Sequence, residues 1–409
     1  MIVRIRPGKL KGTVVPPSSK SQTHRALIAA SLADGKSVLG NILLSEDIRA
    51  TADAMAQLGA TVEVSGGEAR VSGGQIPQTG KVHLDCGESG STLRFLIPVA
   101  LVIHGDAEFT GRGKLMERPL DEYFRIFEEK GIAHTLQDGR LHVKGTLPAG
   151  DYVLRGDVSS QFITGLLFAL PLAKGDSVIR LSTPLESKGY IAMTLDVLSR
   201  FGIGIRMADP MTFEIRGNQT YRPCSMVLEG DHSQAAFYAA SNALGSEVAI
   251  EGMDWQSLQG DRAMTEVVER LGKNGDVEVD VSDIPDLVPA IAVVAALREG
   301  QKTRLVNAAR LRIKESDRLE AVTLELTKLG ARIEAFPDSL TITGVSHFTG
   351  GVTDSHNDHR IAMALAIAAT RAQGEVIISG AESVQKSYPH FFNDYETLGG
   401  QYDEIYDIR

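Results

Sequence analysis

The chain has 409 residues, and its 52 acidic residues against 42 Lys and Arg give a formal net charge of −10. This length predicts about two domains, and a hydrophobic content of 43% with a charged content of 23% is typical of a globular protein. The net negative charge argues against a protein whose whole surface attracts nucleic acid or an anionic membrane.

The cysteine content and the N-terminal residues bear on the cellular compartment of the protein. Cys86 and Cys224 are the only two cysteines and lie far apart in the sequence, which supports neither a disulfide framework nor a CxxC metal site. Residues 1–12 lack the apolar core of a signal peptide. No apolar stretch approaches the roughly 20 residues of a membrane span. We therefore expect a cytoplasmic protein.

Short segments that are apolar on nearly every face recur along the chain. They cover residues 26–33, 93–103, 162–173, 235–244, 287–297 and 361–370. The glycines that follow them are Gly35, Gly105, Gly175, Gly245, Gly300 and Gly374, at intervals of 70, 70, 70, 55 and 74 residues. A helix that is apolar all round must be buried. The pattern therefore predicts six buried helices.

A second series of segments, which includes residues 47–58, 261–271 and 315–329, has apolar residues at helical spacing with charged residues between them. Paired strands around tight turns follow, as in residues 132–145 and 331–344. The predicted unit is strand, buried helix, strand, amphipathic helix and two strands, used six times in an α/β chain. Two compact groups of three fit domain sizes better than one solenoid. Close approach of small residues explains the 41 glycines and the single Trp.

The entrances of the buried helices carry small and polar residues. They lie at residues 16–25, 86–94, 156–162, 229–235, 282–286 and 355–360. Ser, Asp and Asn at such positions are ordinary N-caps, but a helix N-terminus also suits a bound anion. Several entrances carry cationic residues, which favours anion binding: Lys20, Arg25, Arg94, His359 and Arg360.

Two further stretches, residues 111–120 and 309–320, are rich in basic residues. The basic residues are Arg112, Lys114, Arg118, Arg310, Arg312, Lys314 and Arg318, with Glu315 and Asp317 among the last four. A solvated helix face is the alternative interpretation, but like charges four residues apart repel each other. The spacing of Lys314 and Arg318 therefore indicates a bound anion. The two histidines of residues 356–359 lack a clear third ligand, so we predict no metal site.

Nine short motifs occur in order along the chain: KSQTHRA, GESGST, LMERP, SSQF, SKGY, IPD, RIKESDR, NDHR and KSYP. Together they resemble the 5-enolpyruvylshikimate-3-phosphate synthase family over essentially the whole chain. The resemblance implies a two-domain inside-out α/β prism with three βαβαββ repeats and buried central helices in each domain. It places residues 18–228 in one domain, mainly for shikimate 3-phosphate. It places residues 1–17 and 229–409 in the other, mainly for phosphoenolpyruvate and proton transfer.

The family transfers the enolpyruvyl group of phosphoenolpyruvate to the 5-hydroxyl of shikimate 3-phosphate and releases phosphate. The resemblance implies small anionic substrates, no cofactor, no metal and a monomer. It assigns to shikimate 3-phosphate the residues Lys20, Ser21, Arg25, Ser159, Ser160, Gln161, Ser187, Tyr190, Asp286 and Lys314. It assigns to phosphoenolpyruvate the residues Lys20, Gly90, Arg118, Gln161, Arg318, Arg360 and Lys386.

The same resemblance implies the proton-transfer residues. Asp286 is expected to accept the proton of the hydroxyl, and Glu315 to donate a proton to the methylene carbon. Lys20 and Lys386 are alternative participants, and the sequence leaves the division of the two transfers open. The chain departs from the common family pattern at a few positions, without losing a group that the chemistry needs: Thr23, His24, Glu88, Ser91, Phe95 and Arg310.

Two alternative functions remain open at this stage. UDP-N-acetylglucosamine enolpyruvyl transferase shares the fold and the donor, but its mobile loop usually carries a reactive Cys, and residues 111–120 contain none. A non-catalytic scaffold built from repeats, such as a nucleic-acid clamp, is disfavoured by the net charge of −10.

Overall fold

The computed structural model describes residues 1–74 and 80–406. It divides into two compact units, which we call the first unit, Ser18–Leu228, and the second unit, Met1–Pro17 with Glu229–Arg409. Among the described residues, none of the helices combines the length and the apolar character that a membrane crossing requires.

The chain starts with two strands of the second unit, β1 (Ile2–Arg6) and β2 (Lys11–Val14). The first unit then contains three repeats in succession. Its first repeat comprises α1 (Lys20–Leu32), β3 (Gly35–Gly40), α2 (Glu46–Gln57), β4 (Thr61–Ser65) and β5 (Glu68–Gly73). Its second comprises β6 (Val82–Asp85), α3 (Gly90–Ile103), β7 (Asp106–Thr110), α4 (Asp121–Lys130), β8 (Ala133–Gln137) and β9 (Arg140–Lys144). Its third comprises β10 (Asp151–Leu154), α5 (Ser160–Ala169), β11 (Ser177–Leu181), α6 (Lys188–Arg200), β12 (Ile205–Asp209) and β13 (Thr212–Ile215).

The last strand of the first unit, β14 (Ser225–Val227), completes the first repeat. It runs parallel to β3, with Met226 opposite Leu39. The three sheets have the orders β14-β3-β5-β4, β6-β7-β9-β8 and β10-β11-β13-β12. In each sheet the first two strands are parallel and the remaining pairs are antiparallel. The three sheets therefore share one topology.

The second unit continues the pattern. Its fourth repeat contains α7 (His232–Ala243), β15 (Glu247–Ile250) and α8 (Met264–Leu271). Its fifth contains β16 (Val277–Asp280), α9 (Val288–Ala296), β17 (Lys302–Val306), α10 (Arg318–Lys328), β18 (Arg332–Ala335) and β19 (Leu340–Thr343). Its sixth contains β20 (Gly351–Asp354), α11 (His359–Ala369), β21 (Val376–Ser379), α12 (Phe391–Thr397) and β22 (Gln401–Ile405). The sheet orders are β15-β2, β16-β17-β19-β18 and β20-β21-β1-β22.

The fourth repeat is shorter than the sequence pattern predicted. Its sheet has only two strands, β15 and β2, because α8 ends at Leu271 and β16 begins at Val277. The few residues between them cannot hold the two-stranded hairpin found in the first, second, third and fifth repeats. This missing hairpin accounts for the short interval of 55 residues between Gly245 and Gly300.

The six helices that open the repeats are buried, as the apolar segments predicted. In α11, every residue from His359 to Ala369 is buried. Small residues allow such helices to approach closely: a Cβ at Gly165 in α5 would lie 2.5 Å from the carbonyl oxygen of Arg94 in α3. The sheets, whose strands alternate buried and exposed residues, cover these helices.

Candidate active site

The first turn of α1 places a partly buried cation beside a carboxylate. Ser19 caps α1, and its Oγ accepts a hydrogen bond from the amide of Gln22. Lys20, the first helical residue, donates from Nζ to Oδ2 of Asp47 over 2.8 Å. Asp47 lies in the first turn of α2 and is nearly buried. This carboxylate balances the cation that the helix N-terminus would otherwise repel.

One turn further along α1, Arg25 joins α1 to α6. Its Nε lies 2.8 Å from Oγ1 of Thr194, and its two Nη atoms donate to the carbonyl oxygens of Ser21 and Tyr190 over 2.8 and 3.2 Å. Its guanidinium group also lies 5.0 Å from the ring centre of Phe95. Burial lowers the pKa of Arg25 to about 10, although the neighbouring Tyr190 partly opposes this decrease. Arg25 thus shares a compact cluster with Ser21 and Tyr190.

The start of α6 contributes a residue in an unusual backbone conformation. Ser187 precedes α6 in the left-handed region, with φ of 56°, and its side chain is buried. Its carbonyl oxygen accepts the amide hydrogen of Tyr190 over 3.0 Å. Non-glycine residues in this region are uncommon and are concentrated at functional sites. The conformation therefore supports a specific role for Ser187.

Gln161 links α5 to α3. Ser159 caps α5 and accepts the amide hydrogen of Gln161, while Ser160 is the first residue of the helix. Oε1 of Gln161 accepts a hydrogen bond from Nη1 of Arg94 over 2.8 Å. Its Nε2 donates to Oγ of Ser91 over 3.0 Å. The amide is thus held between the N-terminal turns of two buried helices.

Gly90, the first residue of α3, lies directly against a cation. A Cβ on Gly90 would come within 2.7 Å of Nη1 of Arg118 and 3.6 Å of Oε1 of Gln161. Arg118 follows a short 3-10 helix, Leu115–Glu117, and is mostly buried. Its Nε has no hydrogen-bond partner within residues 1–74 and 80–406. A buried guanidinium with spare donors suits an anionic ligand.

In the second unit, three carboxylates converge on Arg318. Its Nε donates to Oδ2 of Asp358, its Nη1 to Oδ1 of Asp286 and its Nη2 to Oε2 of Glu315. The three distances are 2.7, 2.7 and 2.6 Å. Burial alone would lower the pKa of Arg318, but the three carboxylates raise it above its usual value. The guanidinium therefore remains charged and fixes both Asp286 and Glu315.

Asp286 in turn lies among three cations. Its Oδ1 is 3.5 Å from Nζ of Lys314, and its Oδ2 is 3.3 Å from Nη2 of Arg360. Burial lowers the pKa of Lys314, which Asp286 partly opposes. We interpreted the like-charge spacing of Lys314 and Arg318 as a sign of a bound anion, but the carboxylate of Asp286 already lies between the two cations.

Lys386 reaches the entrance of α11. It ends a short 3-10 helix, Ala381–Lys386, and its Nζ donates to the carbonyl oxygen of Asn357 over 2.7 Å. His356 and Asn357 both have positive φ, at 53° and 55°. Asp358 then caps α11 by accepting the amide hydrogen of Arg360. This turn places Lys386 and Arg360 at one helix entrance.

The structure brings the predicted residues of each unit into shared clusters. In the first unit, Lys20, Ser21 and Arg25 lie on α1, with Ser187 and Tyr190 at the start of α6, and Gly90, Arg118 and Gln161 lie around the start of α3. In the second unit, Asp286, Glu315, Arg318, Arg360 and Lys314 form one cluster of charges.

Asp47 and Asp358 belong to these clusters, and the sequence analysis did not select them. A carboxylate close to a cationic helix entrance was the available signal. It was not specific, because Asp at a helix start is also an ordinary cap.

The clusters contain cations, which suit anionic ligands, and carboxylates, on a fold of six α/β repeats. This combination is typical of an enzyme that acts on small anionic substrates.

Residues 5–395 match the family described as EPSP synthase (3-phosphoshikimate 1-carboxyvinyltransferase). A 3-phosphoshikimate 1-carboxyvinyltransferase of Clostridium perfringens is 47% identical over 417 residues, which cover 97% of this chain and 98% of the relative. One of Clostridium kluyveri is 46% identical over 419 residues, covering 98% of each chain. The structure of EPSP synthase from Acinetobacter baumannii superposes with a TM-score of 0.80 at 24% identity, over 98% of this chain and 100% of that one.

The chain belongs to the EPSP synthase family. It is an enolpyruvyl transferase, which transfers the enolpyruvyl group of phosphoenolpyruvate to shikimate 3-phosphate in aromatic amino-acid biosynthesis. The family resemblance and the fold class expected from the sequence motifs are confirmed.

Proposed function

We propose that the charged clusters of the two units perform distinct parts of this reaction. The first unit holds the phosphate of shikimate 3-phosphate through Lys20, Ser21 and Arg25. Ser159, Ser160, Gln161, Ser187 and Tyr190 complete the pocket, and Lys314 and Asp286 also bind this substrate. The geometry around Arg25 supports the proposal, because it joins α1 to α6 where Ser21 and Tyr190 meet.

Phosphoenolpyruvate carries a carboxylate and a phosphate, and we assign it to cations, of which the arginines offer donors in a planar fork. Arg118 beside Gly90, Arg360 and Lys386 are its principal partners, and Lys20, Gln161 and Arg318 contribute. Arg118 is supported by its burial and by the Nε that finds no partner in the described part of the chain. Arg318 makes four hydrogen bonds to three carboxylates. Its larger role is therefore to hold Asp286 and Glu315 in place.

The proposed proton transfers follow from the carboxylates on Arg318. As the 5-hydroxyl attacks the central carbon of phosphoenolpyruvate, Asp286 accepts the hydroxyl proton. Glu315 delivers a proton to the methylene carbon, which gives a tetrahedral intermediate. A base then removes a proton from that methyl group as phosphate leaves, and Glu315, now deprotonated, is the group in place. Lys20 and Lys386 are the alternative participants.

One observation carries this proposal: Arg318 binds Asp286 and Glu315 through two different nitrogens of one guanidinium group. The two carboxylates are therefore fixed relative to each other, as separate acid and base positions require. A single buried residue thus sets the geometry of both proton transfers.

The direct test mixes the protein with phosphoenolpyruvate and shikimate 3-phosphate and measures the release of inorganic phosphate. We expect release that requires both substrates. Absence of release, with phosphate formed instead in the presence of UDP-N-acetylglucosamine, would contradict the proposal. Omission of either substrate controls for simple hydrolysis of phosphoenolpyruvate.

We further infer a monomer that works in the cytoplasm. Cys86 and Cys224 are both free thiols, which fits a reducing compartment. Sedimentation of the purified protein at several concentrations tests the monomer, and a mass near twice 44.0 kDa would contradict it.

A further inference from the structure

A chain of four buried side chains crosses the first unit from α1 to α3. Nδ1 of His24 lies 2.7 Å from Oγ1 of Thr51, which lies 2.6 Å from Oγ1 of Thr92. Thr92 is also 2.7 Å from Oγ of Ser89, the cap of α3. All four residues are at most 1% exposed. The four side chains are therefore shielded from solvent.

The hydrogen bonds along this chain run in one direction. Thr92 donates its hydroxyl hydrogen to Ser89. A hydroxyl has one hydrogen, so Thr92 must accept the hydrogen of Thr51, which in turn accepts from Nδ1 of His24. Burial lowers the pKa of His24 well below its usual value, and the charges of Lys20 and Arg25 lower it further. His24 is therefore neutral and carries its hydrogen on Nδ1.

Helix α2 is the common support of this chain and of the Lys20 ion pair. Lys20 and His24 are four residues apart on α1, and Asp47 and Thr51 are four residues apart on α2. Residues at this spacing share a helix face. The two contacts, of 2.8 Å from Lys20 to Asp47 and 2.7 Å from His24 to Thr51, thus align the two helices.

Thr51 extends this alignment to α3 by a hydrogen bond. Its hydroxyl binds Thr92, whose amide and hydroxyl both bind Ser89. Gly90 follows Ser89 directly and contacts Arg118. The hydroxyl group of Thr51 therefore links the position of Gly90 to that of Lys20, in addition to the contact of Arg25 in α1 with Phe95 in α3.

We propose that Thr51 is a positioning residue that holds the N-terminal turn of α3, with Gly90, in a fixed place relative to Lys20. The proposal rests on the proposed function, in which Lys20 binds shikimate 3-phosphate and Gly90 lies at phosphoenolpyruvate. Loss of the Thr51 hydroxyl leaves Nδ1 of His24 without its hydrogen bond and removes the hydrogen bond that Thr92 accepts, while Thr92 still donates to Ser89. A buried donor without an acceptor is costly, so the first turn of α3 shifts to relieve the loss.

The test compares Thr51→Val with Thr51→Ser in the full-length protein. Thr51→Val keeps the shape of the side chain and removes the hydroxyl, and we expect the KM for phosphoenolpyruvate to rise about tenfold. The Kd for shikimate 3-phosphate, measured by calorimetry without phosphoenolpyruvate, should change less than about twofold, because the Lys20–Asp47 contact remains. Thr51→Ser restores the hydroxyl and should return the KM toward the original value.

Thr370→Val is the matched control for the general loss of a buried hydroxyl. Thr370, the C-cap of α11, is 5% exposed, and among the hydrogen bonds of the described residues its hydroxyl donates only to the carbonyl oxygen of Ile367 in that helix. We expect its Tm to fall without a change in the KM for phosphoenolpyruvate. An unchanged KM in Thr51→Val would overturn the proposal, as would an equal rise in the KM and in the Kd for shikimate 3-phosphate.

A failure of the proposed function is recognised separately with Lys20→Met. If Lys20 does not bind substrate, this variant keeps the original Kd for shikimate 3-phosphate, and the site assignment itself is wrong. If Lys20→Met weakens binding while Thr51→Val leaves the KM for phosphoenolpyruvate unchanged, the site assignment stands and the role of Thr51 is refuted.

Discussion

Nε of Arg318 lies 2.7 Å from Oδ2 of Asp358, and the two side chains are only 1% and 0% exposed. Asp358 also accepts a hydrogen bond from Oγ of Ser316 and caps α11. One carboxylate thus joins α10 to α11 and compensates a buried charge. Charges removed from water in this way are tolerated only when their partners are present.

We predict that Asp358→Asn lowers the free energy of unfolding by about 3 kcal/mol, because it leaves the charge of Arg318 buried with less compensation. Urea unfolding measures the change. Glu278→Gln is the control, since it breaks an exposed pair, with Arg304, in which the side chains are 57% and 59% exposed. That substitution should cost less than about 1 kcal/mol. Equal losses in the free energy of unfolding of the two variants would show that the buried pair of Arg318 and Asp358 contributes no more to stability than the exposed pair.

Removal of either proposed proton-transfer carboxylate should slow turnover. We expect Glu315→Gln and Asp286→Asn each to reduce kcat by about 10²-fold or more, since neither amide can exchange the required proton. Phosphate release at saturating substrates measures the effect. Glu320→Gln, an exposed position on the same helix α10, should keep the original rate. Full turnover in either site variant would remove that residue from its role.

A methyl group at Gly90 should disturb phosphoenolpyruvate more than shikimate 3-phosphate. The added Cβ would lie 2.7 Å from Nη1 of Arg118, so the guanidinium must move. We predict that Gly90→Ala raises the KM for phosphoenolpyruvate by about tenfold or more. Gly204→Ala is a suitable control, because Gly204 has no positive φ and a Cβ there would lie no closer than 3.8 Å to a neighbouring atom, Oε1 of Gln219. Gly131→Ala is unsuitable, because Gly131 has a positive φ of 68°. A normal KM in Gly90→Ala would show that Arg118 does not bind this substrate in its observed position.

Stability should depend on pH through Asp261. Burial, together with the charges of Asp286 and Asp231, raises the pKa of Asp261 to about 7, although Arg360 and the hydrogen bond from Ser233 oppose the rise. The folded protein therefore keeps a proton that the unfolded chain loses near a pH of about 4. This contribution to stability is complete below about pH 4 and is lost as the pH rises to about 7.

Asp261→Asn removes this titration. We predict that the variant gains stability relative to the original protein as the pH rises from about 5 to about 8. Urea unfolding of both proteins at the two pH values gives the difference. Asp138→Asn, at an exposed turn residue, should show no such gain. The raised pKa of Asp261 would be contradicted if the free energies of unfolding of Asp261→Asn and of the original protein differed by the same amount at both pH values.

The buried helices were predictable from sequence because helices that are apolar on every face and too short to cross a membrane must be buried. The pairing of a strand with a partner that is distant in the sequence was not predictable. β14 has three residues, and its pairing with β3 joins Met226 to Leu39 across most of the first unit. Local periodicity contains no information on such a distant partner. The missing hairpin of the fourth repeat was visible only as the short glycine interval.

The candidate site divides in the same way. Its cations were predictable, because Lys20, Arg25 and Arg360 at helix entrances conflict with the helix dipole. The compensating carboxylates were not, because Asp358 has the appearance of an ordinary cap. Its contact with Arg318 joins residues that are 40 positions apart. Only the folded chain shows that Asp358 both caps α11 and compensates the charge of Arg318.

The position of β1 bears on the order in which the chain can fold during synthesis. β1 lies between β21 and β22 in the last sheet, with Val3 opposite Ile378 on one side and Glu404 on the other. The first unit is complete once Leu228 has been made. The ribosome must still add β21 and β22 before β1 has either neighbour. β1 therefore stays unpaired while almost the whole polypeptide is translated, and the second unit completes its folding last.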